Sequence, residues 1–544
     1  MKNNSKLKDR APLNLPPISL MFPGAKQAAN ANFSAWEEDL GLSDLLKALT
    51  LDKRYTAFVR QALVALTSEA EVIIWRQATL ADFLNNPAMI EAIAALLPQL
   101  ASLQQGNPLL GQRQRNLLLE TTDRLSELDL YITVVQGLYD ALKTAALQSP
   151  ALLRLRENLL VLLNDPNYQA LRDDLPELRA PLEKIISVTI GINLDAELKP
   201  ISAVLMTVNN TPIGEPMSFL ERLIGVSRNG DENGIAPLRF LPANREERIL
   251  TPLFQDLDRL LTQVAQPIAR ALNRYVRVNS ESLSGLEYEL AFFVGAARLI
   301  RKLPFWCFPQ TRPLDERLTV IDGLASIHLL LRQSEAPVVS AADFGEQGRI
   351  ALLTGPNSGG KTTYLRAVGL AQVMFQAGLA IPAREARMSP VDLILTHFPA
   401  LETGQGRLAE EAARLRTLFE RATAHSLVLL NETFSSTAPG EALYLAQDVL
   451  CGLRAIGVRA IYATHLIELA ERIPEIEHVI DGTSGLFSLI ATVKRDDQGQ
   501  TVRTFKIERG LPLGRSYAQE IARLHGISLE QILAARRFPA NHRE

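Results

Sequence analysis

The sequence predicts an α + α/β chain, with a long helical core and lever region, a small β-containing tip, and then a parallel-sheet region. Apolar residues recur at helical spacing through most of the first 300 residues. Short β-branched runs interrupt them at about 186–242. From residue 301, continuous apolar runs alternate with amphipathic stretches, as buried parallel strands and their covering helices do. With 544 residues, 47% hydrophobic and 22% charged, the chain is too long for one core and too apolar for overall disorder.

Each element follows from local pattern. Residues 1–32, which include Pro12, Pro16, Pro17 and Pro23, read as an extended tail. A helical core and lever domain is expected over 33–300. Its clearest stretch is 113–147, where Leu117, Leu125, Leu128, Val135, Leu138 and Leu142 keep helical spacings with no proline. That length suits a lever or coiled-coil arm, and equally a long helix in an ordinary bundle. ISVTIGINLDAELKPISAVLMTV reads as a hairpin in the tip. A domain over 301–509 should hold strands at 349–354, 426–431 and 458–464, with helices at 362–377, 408–424 and 440–455. LFSLIATVKRDDQGQTVRTFKI closes it as a hairpin, and 510–544 follow as a C-terminal helical segment.

Composition excludes several classes. Cys307 and Cys451 stand far apart, which rules out a disulfide framework or a cysteine metal site and fits a reducing cytoplasm. The longest uncharged stretch, 92–112, contains Pro98, Asn107 and Pro108, so no membrane span is expected. No apolar run follows the first basic residues, so no signal peptide is expected. A net charge of −3 removes the simplest sign of a nucleic-acid partner.

The candidate chemistry begins at Gly355-Pro356-Asn357-Ser358-Gly359-Gly360-Lys361-Thr362, which fits G-x-x-x-x-G-K-[ST] between an expected strand and helix. Glycines let backbone N–H groups turn toward phosphate oxygens, and the helix N-terminus adds partial positive charge. Lys361 would reach the β- and γ-phosphates of ATP, and Thr362 would place its hydroxyl on Mg²⁺. LVLLNE (427–432) ends a strand in Asn431, where a magnesium-linked acid is usual, and Glu432, suited to activating a water. His465 follows another strand and is a candidate γ-phosphate sensor. The turn 433–437 is rich in hydroxyls, which alone would serve as helix capping.

GPNSGGKTTYLRAVGLAQVMFQAGLAIPA, SLVLLNETFSST and YATHLIELAE together resemble the ATPase domain of the MutS family of DNA mismatch repair proteins. The family loop GPN-x-GGK-[ST]-[ST] is met at 355–363, including Thr363. The resemblance is specific over about 340–537, and EVIIWRQATLADFLNNP (71–87) is similar to the core and lever segment. It implies an ABC-type P-loop ATPase domain, a C-terminal helix-turn-helix that clasps the partner subunit, and a homodimer. Asn357 would support the loop, Glu432 would be the catalytic glutamate and His465 the switch histidine. Ser435, Ser436 and Thr437 match the signature loop that completes the other subunit's site. Asn431 departs from the usual aspartate, and the signature loop lacks the GRGTST form; both bear on hydrolysis more than on binding.

The lever-like sequence begins by about residue 40, so the resemblance implies a short member without the mismatch-recognition and connector domains. Phe219-Leu220-Glu221 matches the family's Phe-x-Glu wedge, but its place in a short apolar helix marks the match as accidental. The expected function is a dimeric ATPase gripping distorted or branched duplex DNA, with ATP controlling the clamp. Between 195 and 248 there are six Lys/Arg against eight Asp/Glu, whereas a phosphate-gripping tip should be basic. The alternative is therefore a slow nucleotide switch that binds a protein or a ribonucleoprotein.

Overall fold

The computed structural model describes residues 16, 18–24, 35–104, 117–183, 187–197, 200–209, 265–272, 275, 281–332, 337–345, 348–399, 407–435, 437–495, 501–511 and 526–537. Contacts divide the chain into two compact units. One draws on 95–144 and 155–287, the other on 18–94, 145–154 and 288–544.

After three short helices, Trp36–Asp39, Leu42–Leu49 and Thr56–Val64, the described helices of the first half include Ala70–Asn85, Pro87–Gln104, Leu117–Lys143, Pro150–Leu163 and Pro166–Glu183. Three of them begin with proline, whose fixed φ suits the first helical position and whose missing N–H costs nothing there. Leu117–Lys143 is the long helix expected within 113–147. Its Leu125, Leu128, Val135, Leu138 and Leu142 are all buried, as the spacing requires. Gly137 lets it approach its neighbour closely, because a Cβ there would stand 2.8 Å from the Leu96 side chain. The tip hairpin forms as expected from β1 (Ser187–Leu194) and β2 (Pro200–Asn209), antiparallel, with Ser187 opposite Asn209. The wedge-like 219–221 and most of the tip's charges lie outside the described residues.

Among the described residues, the other unit holds two sheets. β6 (Ile350–Thr354), β8 (Ile394–His397), β9 (Leu427–Asn431), β10 (Arg459–Thr464), β11 (Leu486–Arg495) and β12 (Thr501–Arg509) form a six-stranded sheet in the order β12-β11-β6-β10-β9-β8. All its pairings are parallel except β11 with β12, the expected closing hairpin. β6, β9 and β10 are buried along their whole length, which explains the apolar run at the centre of each. A second sheet was not anticipated: β3 (Gln310–Thr311), β4 (Thr319–Leu324), β5 (Ser340–Phe344) and β7 (Glu385–Met388), in the order β3-β7-β4-β5. Its strands are short and carry Asp322, Asp343, Glu385 and Arg387, so no apolar run announces them.

Within the expected N-terminal tail, Leu20 and Met21 are buried. Glu289 accepts hydrogen bonds from the Ser19 hydroxyl and the Leu20 N–H, and Arg76, itself buried, donates to the Met21 carbonyl and lies over the Phe22 ring. Among the described residues no single helix is long and apolar enough to cross a membrane. Ala70–Asn85 and Pro87–Leu103 would reach that length only as a pair, bent by 102°.

Arg459, at the start of β10, ties the two sheets together. It is 1% exposed and donates to the carbonyls of Leu318, Ser389 and Pro390 and to the Thr319 hydroxyl. Replacing it with methionine would take the donor from the Pro390 carbonyl and the Thr319 hydroxyl, while the Leu318 and Ser389 carbonyls keep the Ser389 N–H and Gln372. Arg459→Met should destabilise this unit by about 1–3 kcal/mol, and Arg459→Lys by less. Thermal denaturation checks this, and an unchanged midpoint for Arg459→Met would contradict it.

Candidate functional site

The candidate site forms at the C-terminal ends of β6, β10 and β9. Thr354 stands level with Thr464, and Ala463 with Asn431, so the three strands release the chain at one height. Open parallel sheets offer their crevice at this end.

From β6 the chain turns through 355–360 into the helix Lys361–Gln376, which is buried over most of its length. Gly355 has φ +145°, and a Cβ there would meet the Ala491 Cβ at 2.7 Å, so only glycine fits. Gly360 caps the helix at φ +93°, and Ser358 also lies in the left-handed region. The first turn of a helix leaves N–H groups without intrahelical acceptors, and with the helix dipole they favour an anion.

Lys361 is 3% exposed. Its Nζ donates to the carbonyls of Gly355 at 2.8 Å and Pro356 at 3.1 Å, with His465 Nδ1 at 3.4 Å and Glu432 Oε1 at 4.0 Å. Burial pushes its pKa below the usual lysine value, and the Glu432 charge opposes that shift. The Thr362 hydroxyl donates to Asn431 Oδ1 at 3.3 Å, so the two residues expected on a metal meet. His465 Nε2 lies 3.1 Å from Glu432 Oε1. Residues from the ends of three strands thus converge on one carboxylate and one ammonium.

The chain leaving β9 is strained. Glu432 and Phe434 have φ of +51° and +63°, a region that costs a non-glycine residue on the order of 1 kcal/mol or more. Such geometry persists only where the surroundings over-determine it. The Glu432 N–H donates to the Ala463 carbonyl at 2.8 Å, anchoring the turn to β10.

Beside the loop lies a cavity of about 600 Å³ lined by Ser358, Lys361, Thr362, Glu432, Leu329, Pro337, Val338 and Phe505, among others. The last four form an apolar slot next to the polar loop. Phe505 is half exposed, at φ +57°, on a strand edge. Sequence reading missed it, because an aromatic in an alternating hairpin looks like any strand residue. Asn357 and Ser358 are exposed on the loop. Ser435 and Thr437 do not line the cavity; Ser435 is exposed, and the Thr437 hydroxyl donates to Glu441. Ser436 lies outside the described residues, as do 512–525 of the expected C-terminal helix-turn-helix. The helix Leu529–Arg537 is described, and Ile527, Leu529, Ile532 and Leu533 are exposed on or beside it.

Comparison with known proteins matches both halves of the chain. MutS domain V matches residues 351–541, and the MutS2 N-terminal domain matches 68–305. The DNA mismatch repair protein MutS of Symbiobacterium thermophilum is 29% identical over 323 residues, 55% of this chain and 35% of that protein. Endonuclease MutS2 of Thermomicrobium roseum is 31% identical over 329 residues, 57% of this chain and 38% of that protein. Both halves of the chain thus match domains of the MutS family. The chain's matched stretch spans just over a third of either MutS relative's length. The MutS domain V match contains every site residue expected from the sequence, from Gly355 to His465.

The residues suit a nucleotide with its metal. A buried ammonium held by loop carbonyls can exchange them for phosphate oxygens. Among the described residues no cluster of three or more His, Cys, Asp or Glu could hold a metal ion by itself. Magnesium is commonly held by one or two protein ligands together with phosphates, and the Thr362 hydroxyl and Asn431 Oδ1 are two oxygens that meet here.

Proposed function

We propose that the chain is an ATP-dependent DNA-binding protein of MutS type, an ATPase whose nucleotide state controls its grip on distorted or branched duplex DNA. The convergence of Lys361, Glu432 and His465, with Thr362 bonded to Asn431, carries this reading. Backbone N–H groups of 355–363 and the Lys361 ammonium would take the phosphates, while the slot of Leu329, Pro337, Val338 and Phe505 would take the base. Thr362 and Asn431 would hold magnesium, which when bound offsets phosphate charge. Glu432 would orient the attacking water and accept its proton, and His465 would fix that carboxylate's position.

A second copy would complete the site. Ser435 and Thr437 lie off the cavity of their own chain, as groups serving a partner's nucleotide would. The exposed apolar residues of Leu529–Arg537 and Ile527 support a twofold clasp between two copies. The relatives named for mismatch repair support DNA as the ligand. The acidic excess over 195–248 favours one other reading, a slow nucleotide switch that binds a protein or a ribonucleoprotein.

Lys361→Ala should fold but bind Mg·ATP about 10–100-fold more weakly, because the charge-assisted contacts to phosphate are lost. Fluorescent-nucleotide titration with a melting curve checks this; full affinity in the folded variant would remove the core of the proposal. Asn431→Asp keeps the acceptor for Thr362 and adds the missing charge. Turnover or magnesium affinity should rise, as read by magnesium titration of the ATPase rate. A clear fall would mean that the site is built around a neutral residue.

A further inference from the structure

We propose that Glu411 is a positioning residue for Glu432: it takes the Phe434 N–H and so holds the left-handed turn that aims the Glu432 carboxylate at His465 and the cavity. The proposal rests on the hydrolytic reading of Glu432, to which it adds a control point on a separate helix.

Glu411 lies on the helix Arg407–Arg421 and is 2% exposed. Its Oε2 accepts the Phe434 N–H at 3.1 Å, a buried contact across 23 residues of sequence. A carboxylate taken out of water is costly unless hydrogen-bonded, so its placement at the Phe434 amide is a specific one. Glu432 and Phe434 both occupy left-handed backbone within three residues, and neither is glycine. Left to itself, this segment would relax toward negative φ and carry the Glu432 side chain off its line.

Further contacts share the work. His397 Nδ1 lies 3.2 Å from the Thr433 hydroxyl, at the end of β8. The Tyr462 hydroxyl donates to the Thr433 carbonyl at 3.3 Å, from β10. The Phe434 ring is buried in the core cluster with Leu415 and Leu418 of Glu411's own helix. Thr433 and Phe434 are therefore gripped from β8, β10 and Arg407–Arg421 together. Among these contacts Glu411 alone receives the amide of the second strained residue. Its role is indirect, since Glu432 lines the cavity and meets His465, whereas Glu411 meets the Phe434 amide.

The test uses the full chain. Glu411→Met removes the acceptor at similar volume, and Glu411→Gln keeps a carbonyl oxygen able to take the same N–H. Glu411→Met should lower kcat about 10–100-fold, the scale of an ångström-sized misplacement, with KM for ATP within about twofold. Glu411→Gln should stay near the wild-type rate. Thr433→Val, which loses only the His397 contact, should give a smaller fall in kcat and serves should Glu411→Met not fold. On a Glu432→Ala background, Glu411→Met should change the residual rate no further. The proposal is overturned if Glu411→Met keeps the full rate, if Gln and Met both raise KM in step with lost stability, or if Glu411→Met slows the Glu432→Ala enzyme by its usual factor. Full-rate turnover by Glu432→Ala alone would instead sink the reading of Glu432, and the proposal with it.

Discussion

Lys361 sits almost wholly out of water, and among the described contacts the nearest carboxylate oxygen is 4.0 Å away. A buried ammonium is expensive unless its donors are occupied. Here the carbonyls of Gly355 and Pro356 occupy two of them, so the loop is folded around the charge as much as around its glycines. The rest of the site follows from keeping that cation in reach of Glu432 and His465. The parallel register of β6, β10 and β9 brings three chain exits to one level, and Arg459 at the opposite end of β10 ties the same strand to the second sheet. The helix Lys361–Gln376 then carries the position inward, its last turn tied to the Thr67 and Val391 carbonyls by Gln376.

Strain is the second organising feature. The loop holds Ser358 at positive φ, and the chain after β9 holds Glu432 and Phe434 there, close to the reacting groups proposed above. The turn at 432–434 is held locally, by β10, by β8 and by the helix that carries Glu411. Pre-organisation of this kind keeps a carboxylate in place when nothing but water competes for it. Asn431 removes a negative charge from the same neighbourhood, which leaves Glu432 as the nearest carboxylate to Lys361 among the described contacts.

What could be read from the sequence was what local chemistry dictates. The apolar runs of β6, β9 and β10, the glycine-rich turn and the hairpin of β11 and β12 each carry their own pattern. The meeting of Thr362 with Asn431 and of Glu432 with His465 was legible because strand ends in a parallel sheet share one edge. The second sheet was not legible: β3, β4, β5 and β7 are short, partly charged and joined across the chain by pairing alone. Glu411 and Phe505 were invisible for a related reason. A glutamate in an amphipathic helix and an aromatic in a strand look ordinary until the fold sets one against the Phe434 amide and the other beside Lys361. The packing of Leu20 and Met21 depends on Glu289 and Arg76, far along the chain, so proline content alone suggested only a tail.

In the proposed site, 355–363 take the phosphates of a nucleotide with Glu432 beside them. Hydrogen exchange of the wild-type chain with and without a saturating Mg·ATP analogue tests it most directly, because the amides said to bind are the ones observed. Exchange should slow over 358–363 and over the turn at 432–434, with smaller changes in the sheet. Unchanged exchange in both segments, with protection elsewhere or no binding at all, would contradict it.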